Sequence, residues 1–330
     1  MRHFLTAMCL CAATPVAAQE VDLSIIVNAH ILPHYEALAA ETAALSAQAI
    51  EDCTPDSADL KAAYHDAFDA WVGGSHLRFG PSEQQDRAFA LAFWPDPRGS
   101  TPKALAALIA AEDQVVTDPQ SFAAVSVAAR GFYALEFLLF DPQFTDGTKA
   151  EYHCALVKAV SADIAANASG ILEDWQGGYG DLMANPGNET YRTNEEAARQ
   201  AFTALSTGLE FTSQARLGRP LGSFDRPRPN RAEARRSERS LRHVILSLQA
   251  TRDLAALISG GDENVNASFV VALQRAEALE DPVFASVADP SGRFRVEVLQ
   301  QSIDAIRNML AQEVGPSLGI AAGFNSLDGD

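Results

Sequence analysis

An all-α fold, arranged as two packed four-helix-bundle-like halves, is what this sequence predicts, on three observations. Apolar residues recur at spacings of three and four, as in Val296, Leu299, Ile303, Ile306 and Leu310, in Ala198, Phe202, Leu205 and Leu209, and in Leu241, Val244, Ile245 and Leu248. That rhythm lines one face of a helix. No run alternates apolar and polar residues between turn signals, as a half-buried strand does. A chain of 330 residues with 47% hydrophobic content can supply cores for one large or two medium domains.

The rhythm places helices near 22–50, 56–76, 101–114, 121–140, 149–178, 191–217, 231–260, 264–280 and 291–314, with Pro33 expected to kink the first. Punctuation separates them: Pro81, the run Trp94-Pro95-Asp96-Pro97-Arg98-Gly99, Gly177-Gly178, Asn185-Pro186-Gly187-Asn188 and Arg226-Pro227-Arg228-Pro229-Asn230 read as loops. The Gly/Pro/Asn-rich stretch 177–190 is the best boundary, giving an N-terminal half over 19–180 and a C-terminal half over 181–330. No short-period repeat is visible.

Residues 1–18 read as a secretory signal peptide. Met1-Arg2-His3 is a short basic opening, Phe4 to Ala13 an apolar core, and Val16-Ala17-Ala18 a small-residue cleavage site. The expected mature chain starts at Gln19 and is periplasmic. Cys9 and Cys11 lie in the leader without the pattern of a lipid-attachment box, and no later uninterrupted apolar segment reaches the roughly 20 residues of a spanning helix. Cys53 and Cys154 then remain in an oxidising compartment, where a disulfide is the favoured reading over a thiolate metal pair. A net charge of −18 opposes nucleic acid as a partner and favours cations.

One carboxylate stands out. Glu136 sits inside the apolar run from Gly131 to Phe140, where a helix is buried all round and Tyr133 shares its face. A carboxylate there must find a cation or hydrogen-bond donors, or stay protonated. Its expected partners are Arg239, Ser240 and Arg242, or Arg98 in the Trp-Pro-Asp loop, with Tyr133 supplying or orienting a hydrogen bond. The unspecific alternative is a structural carboxylate satisfied by a buried arginine or hydroxyl.

Among seven histidines none begins an H-E-x-x-H, which opposes a zincin. His30 and His34, four apart around Pro33, read as surface residues rather than metal ligands. Nucleophile-elbow and nucleotide-loop patterns in a strand-turn-helix context are lacking. Arginine instead crowds one stretch, with Arg226, Arg228, Arg231, Arg235, Arg236, Arg239 and Arg242 in a chain that has only four lysines. Arg235, Arg239 and Arg242 fall on one face of the expected helix. The stretch reads either as a solvated face neutralised by Glu233 and Glu238, or as a helix aiming Arg239 or Arg242 at an inner carboxylate or an anionic ligand.

Taken in order, the leader, the helical pattern, the Trp94–Gly99 loop, the Gly131–Phe140 run and the terminal Gly323-Phe324-Asn325-Ser326-Leu327-Asp328-Gly329-Asp330 resemble the imelysin family over essentially the whole mature chain. The resemblance implies an exported, all-helical protein with a site in the cleft between two bundle-like halves, a metallopeptidase activity for which the family was named, and an association with iron. The family's G-x-H-x-x-E motif aligns with Gly131, Tyr133 and Glu136, so tyrosine stands where histidine is expected. Phenol is a poor ligand for zinc at neutral pH, whereas a ferric ion can take one; two ligands are too few unless Asp96 or another carboxylate joins them. The reading that follows is a periplasmic, non-enzymatic binding or accessory component in iron or metal homeostasis. Its partners would be a metal ion or small ligand and iron-uptake components of the periplasm or membrane. A metallopeptidase and a binding protein for a small anion are the alternatives. Trp94, Asp96, Arg98, Gly131, Tyr133, Glu136, Arg239, Ser240 and Arg242 are the cleft candidates.

Overall fold

Helix follows helix along the described chain. The structure, a computed structural model, describes residues 21–320, so the expected leader and the 323–330 motif lie outside the described residues. Nine α-helices of ten residues or more carry the fold among these residues: α1 (Leu32–Glu51), α2 (Ala58–Gly74), α3 (Ser100–Ala111), α4 (Gly131–Phe140), α5 (Ala150–Asp174), α6 (Asn194–Glu210), α7 (Ser240–Ile258), α8 (Glu263–Glu277) and α9 (Pro290–Met309). The described residues hold no strand, only an isolated bridge between Ser223 and Arg226.

Side-chain caps fix several of the starts. Ser57, Thr193, Asp262 and Asp289 each accept backbone N–H bonds ahead of α2, α6, α8 and α9, satisfying donors that a helix start leaves open. Pro290 opens α9, where its missing N–H costs nothing. Pro33 acts differently from a simple kink. The short helix Leu23–Ile26 runs into α1 through a π-helical turn, Val27–Ile31, just ahead of the proline, which cannot donate to the preceding turn.

Two expected helices are shorter than the periodicity implied. The 121–140 segment breaks into Pro119–Ala123, a 3-10 turn Val127–Ala129, and α4. The 231–260 segment becomes helical only at Ser240; ahead of it the chain turns, with Ala234 at φ 45° and Glu238 at φ 58°. Arg235 therefore lies ahead of the helix, which corrects the sequence reading for that residue, whereas Arg239, the N-cap, and Arg242 reach one carboxylate, Asp69.

α1 packs on α2 and α5, and α4 on α3 and α5, while α6, α7, α8 and α9 close a ring in which each touches the next and α9 returns to α6. α2 and α7 join the two groups. Their seam is aromatic: Phe68 stacks on Phe132 with centroids 4.6 Å apart, and His243 of α7 meets Phe68 edge-on at 4.4 Å. Cys53, just past α1, is bonded to Cys154 in α5, with Cα atoms 5.1 Å apart across 101 residues of sequence. This settles the cysteines as a disulfide. The helix Ala150–Ala184 is long and apolar enough by composition to cross a membrane. It is a core element, however, with Leu156, Val157, Val160, Ile164, Ala168 and Ile171 buried and Asp163 held by Arg130 at 2.7 and 2.9 Å.

Candidate functional site

Gly131 explains both the break before α4 and its own identity. Its φ is +74°, and a Cβ there would lie 2.2 Å from the Ala90 carbonyl oxygen and 2.3 Å from that of Leu91. Only glycine allows this backbone to cross so closely. α4 then starts against the 90–91 backbone and buries Phe132, Tyr133, Ala134, Leu135, Glu136, Leu138 and Leu139.

Tyr133 faces the segment that joins α6 to α7. Its hydroxyl donates to Glu233 Oε1 at 2.5 Å, while Arg216 Nε donates to Glu233 Oε2 at 2.7 Å. Arg216 is further held by Ser247 Oγ at 2.5 Å and Thr212 Oγ1 at 3.3 Å. His243 Nδ1 lies 3.2 Å from the same Oε2 without hydrogen-bond alignment, so its contribution is one of proximity. Glu233 is 1% exposed and Arg216 3%. Burial alone would raise the Glu233 carboxyl; the Arg216 guanidinium, with His243 and the Tyr133 phenol, brings it down to about 2. Tyr133 moves the other way. Burial first, and then the Glu233 charge, hold its phenol well above the usual range.

Glu136, also buried, points at the same turn. Its Oε1 accepts from the Ser237 backbone N–H at 3.0 Å and from Ser237 Oγ at 2.8 Å. Desolvation raises its pKa, opposed by these bonds and by Arg236. None of the partners expected for it is used. Arg239 and Arg242 both bind Asp69 of α2, the latter at 3.1 Å. Ser240 Oγ donates to the Glu233 carbonyl. Arg98 is exposed, and its carbonyl accepts from Lys103 Nζ at 2.9 Å. Tyr133 is engaged with Glu233 instead. Nor does Glu233 belong to a solvated face; it is the centre of the buried network, whereas Glu238 is exposed.

Two cavities meet at the wall made by Trp94 and Tyr133, whose rings stack at 6.1 Å. The larger, about 480 Å³, opens between the two groups of helices. Trp71, Trp94, Tyr133, Phe211 and Arg216 line it, with Glu233 behind the last and His76 at one side. The smaller, about 230 Å³, takes in Asp96 and Glu136 together with Arg219, Arg231, Arg235 and Arg236. Asp96 Oδ2 accepts from the Thr101 N–H at 2.8 Å.

Sequence reading missed Arg216, Glu233, Ser237 and His76. A faint signal existed for Glu233: it is flanked by Ala232 and Ala234, small apolar neighbours in a run otherwise filled with charge. His30, expected at the surface, is buried, and its Nε2 lies 2.8 Å from His76 Nε2 with His34 packed against both rings. Burial, then the neighbouring His34, pushes His30 down to about 3, and burial pushes His76 well below its usual value.

A resident metal, which the resemblance to imelysin implies, does not fit these donors. Tyr133 keeps its proton for Glu233, and both Glu233 oxygens are taken by a phenol and a guanidinium. Among the described residues no group of three or more His, Cys, Asp and Glu side chains could hold a metal ion. The arrangement can do something else: present an aromatic wall and one buried, neutralised ion pair to a molecule in the cleft.

Known proteins bear on this geometry. The Peptidase_M75 family model, imelysin, matches residues 31–310. Iron-regulated protein A of Synechococcus elongatus is 22% identical, the match covering 93% of this chain and 88% of the relative. Two solved structures share the fold. An imelysin-like protein from Psychrobacter arcticum has a TM-score of 0.76 at 19% identity, over 95% of this chain and all of that one. A putative iron-regulated protein A precursor from Parabacteroides distasonis has a TM-score of 0.70 at 14% identity, over 90% and 96%. With the family model spanning most of its length, this chain belongs to the imelysin family.

Proposed function

We propose that this chain is an exported, non-enzymatic accessory of iron homeostasis that binds a small molecule in the cleft beside Trp94 and Tyr133. The single observation that carries the non-enzymatic part is the Tyr133–Glu233 bond. Hydrolysis by a bound zinc needs an open coordination position on a set of unprotonated ligands, and here the motif position is a protonated phenol whose acceptor is already neutralised by Arg216. A cavity of about 480 Å³ with aromatic walls has the size of small-molecule sites. Iron enters as a role rather than as a bound ion: the relatives carry the name iron-regulated protein A. Export is supported by the leader pattern, by the disulfide and by the description of one relative as a precursor. Periplasmic or membrane iron-uptake components are the expected partners.

Complementation tests this reading. A strain lacking the chain should grow poorly only when iron is limiting, wild type should restore growth, and Trp94→Ala should not, while the exposed Arg98→Ala does. Growth independent of the chain at every iron level would contradict it.

A further inference from the structure

Four arginines close to the cleft are spoken for. Arg216 serves Glu233, Arg236 serves Asp141 and lies over the Phe137 ring, and Arg239 and Arg242 serve Asp69. Three guanidiniums at the smaller cavity are not. Arg219, Arg231 and Arg235 line it together, and among the described residues none of them has an ion pair within 4 Å; the buried Arg219 Nε has no hydrogen-bond partner at all. The two carboxylates in the same wall pair with none of them: Asp96 Oδ2 accepts from the Thr101 N–H while its Oδ1 has no partner, and Glu136 accepts from Ser237. Arg219 lies over the Trp94 ring at 5.5 Å, a contact that orients the guanidinium plane but carries no counter-charge.

Three guanidiniums on one cavity wall with no paired carboxylate make a local positive field in a chain of net charge −18, and such a field favours an anion there. Burial, followed by the nearby Arg231, holds the Arg219 guanidinium below its usual pKa, the direction that unneutralised cation crowding gives. We infer that Arg219, Arg231 and Arg235 form a binding site for a small oxyanion carrying two or more negative charges, a polycarboxylate or a phosphate. Planar guanidiniums meet either group through paired N–H bonds. A volume of about 230 Å³ limits the occupant to a small molecule. The site corrects the expectation that Arg239 or Arg242 would hold such an anion, since Asp69 already occupies both. It does not rest on the iron reading, and iron-free probes keep the two apart.

The test is calorimetric titration of the metal-free mature chain at low ionic strength with citrate, inorganic phosphate and acetate. One equivalent of citrate or phosphate should bind, with acetate at least about tenfold weaker, and the stronger of the two polyanions identifies the source. Arg219→Gln and Arg235→Gln should each weaken that binding about tenfold or more. Arg231 is exposed, so Arg231→Gln keeps the fold and should weaken binding too, while Arg295→Gln, exposed and outside the lining of the cavity, leaves it unchanged. Failure of both polyanions to bind, acetate binding as tightly as they do, or affinity unaltered in Arg219→Gln and Arg231→Gln would overturn the inference.

Discussion

The Tyr133 hydroxyl and the Glu233 carboxylate, 100 residues apart in sequence, are hydrogen-bonded at 2.5 Å across the seam between the two groups of helices. Arg216 completes the set from the other side of Glu233. Removing one member of such a buried pair leaves the other charge uncompensated. Glu233→Gln is therefore expected to destabilise by about 3–5 kcal/mol, and Tyr133→Phe by about 1–3 kcal/mol. Adding Arg216→Met to Glu233→Gln should recover much of the loss, as chemical denaturation of the two variants would show. Additive losses would mean the pair is not coupled. Because the folded-state value of Glu233 is depressed to about 2, its contribution is present above the ordinary carboxylate range and lost as pH falls through about 2.

Glu136 should behave in the opposite sense. Its pKa is raised by desolvation, so its stabilising contribution is complete below the ordinary carboxylate range and is lost as pH rises through the folded-state value. A glutamine can accept the same two bonds from Ser237. Glu136→Gln should thus change neutral-pH stability by less than about 1 kcal/mol or increase it. A loss of several kcal/mol by the same denaturation measurement would show an ionised Glu136 in the folded state.

Much of the architecture was legible in the sequence, because spacing of three and four reports which face of a helix is buried, and nine such segments reappear as α1 to α9. Segment ends were less so. The break at Gly131 depends on the Ala90 and Leu91 carbonyls, forty residues away in the chain, and nothing local announces it. At the site, the Gly131–Glu136 run revealed that a buried carboxylate needed a partner but not which one. The arginine run misled, since Ala234 and Glu238 at positive φ turn the chain before the helix begins and send Ser237, rather than an arginine, to Glu136. His30 shows the same limit: its burial follows from meeting His76, which only the packing of the N-terminal turn supplies.

Acid should unfold the protein through its histidines before its carboxylates. His30 is pushed down to about 3 and His76 well below its usual value, so each contributes stability that is present above about pH 6.5 and lost as the pH falls below it. Urea unfolding should show stability decreasing between pH 7.5 and 5. His30→Gln, which can still pair with His76, should flatten that slope; an unchanged slope would mean that His30 protonates freely in the folded state.

Gly131→Ala tests the close crossing under α4. The left-handed backbone alone costs about 1–2 kcal/mol for a residue with a Cβ, and the contacts at 2.2 and 2.3 Å are with backbone atoms that cannot swing aside. A total loss of about 3 kcal/mol or more is expected, read as a fall in melting temperature. A variant as stable as wild type would show that the start of α4 can move away from Ala90.

Native mass spectrometry of the chain recovered from its own host tests most directly whether the Trp94–Tyr133 cleft is a binding site. The expected result is a mature chain beginning at Gln19 that carries a small non-covalent ligand in wild type and loses it in Trp94→Ala. A bare mature polypeptide in wild type, or a ligand retained unchanged by Trp94→Ala, would contradict it.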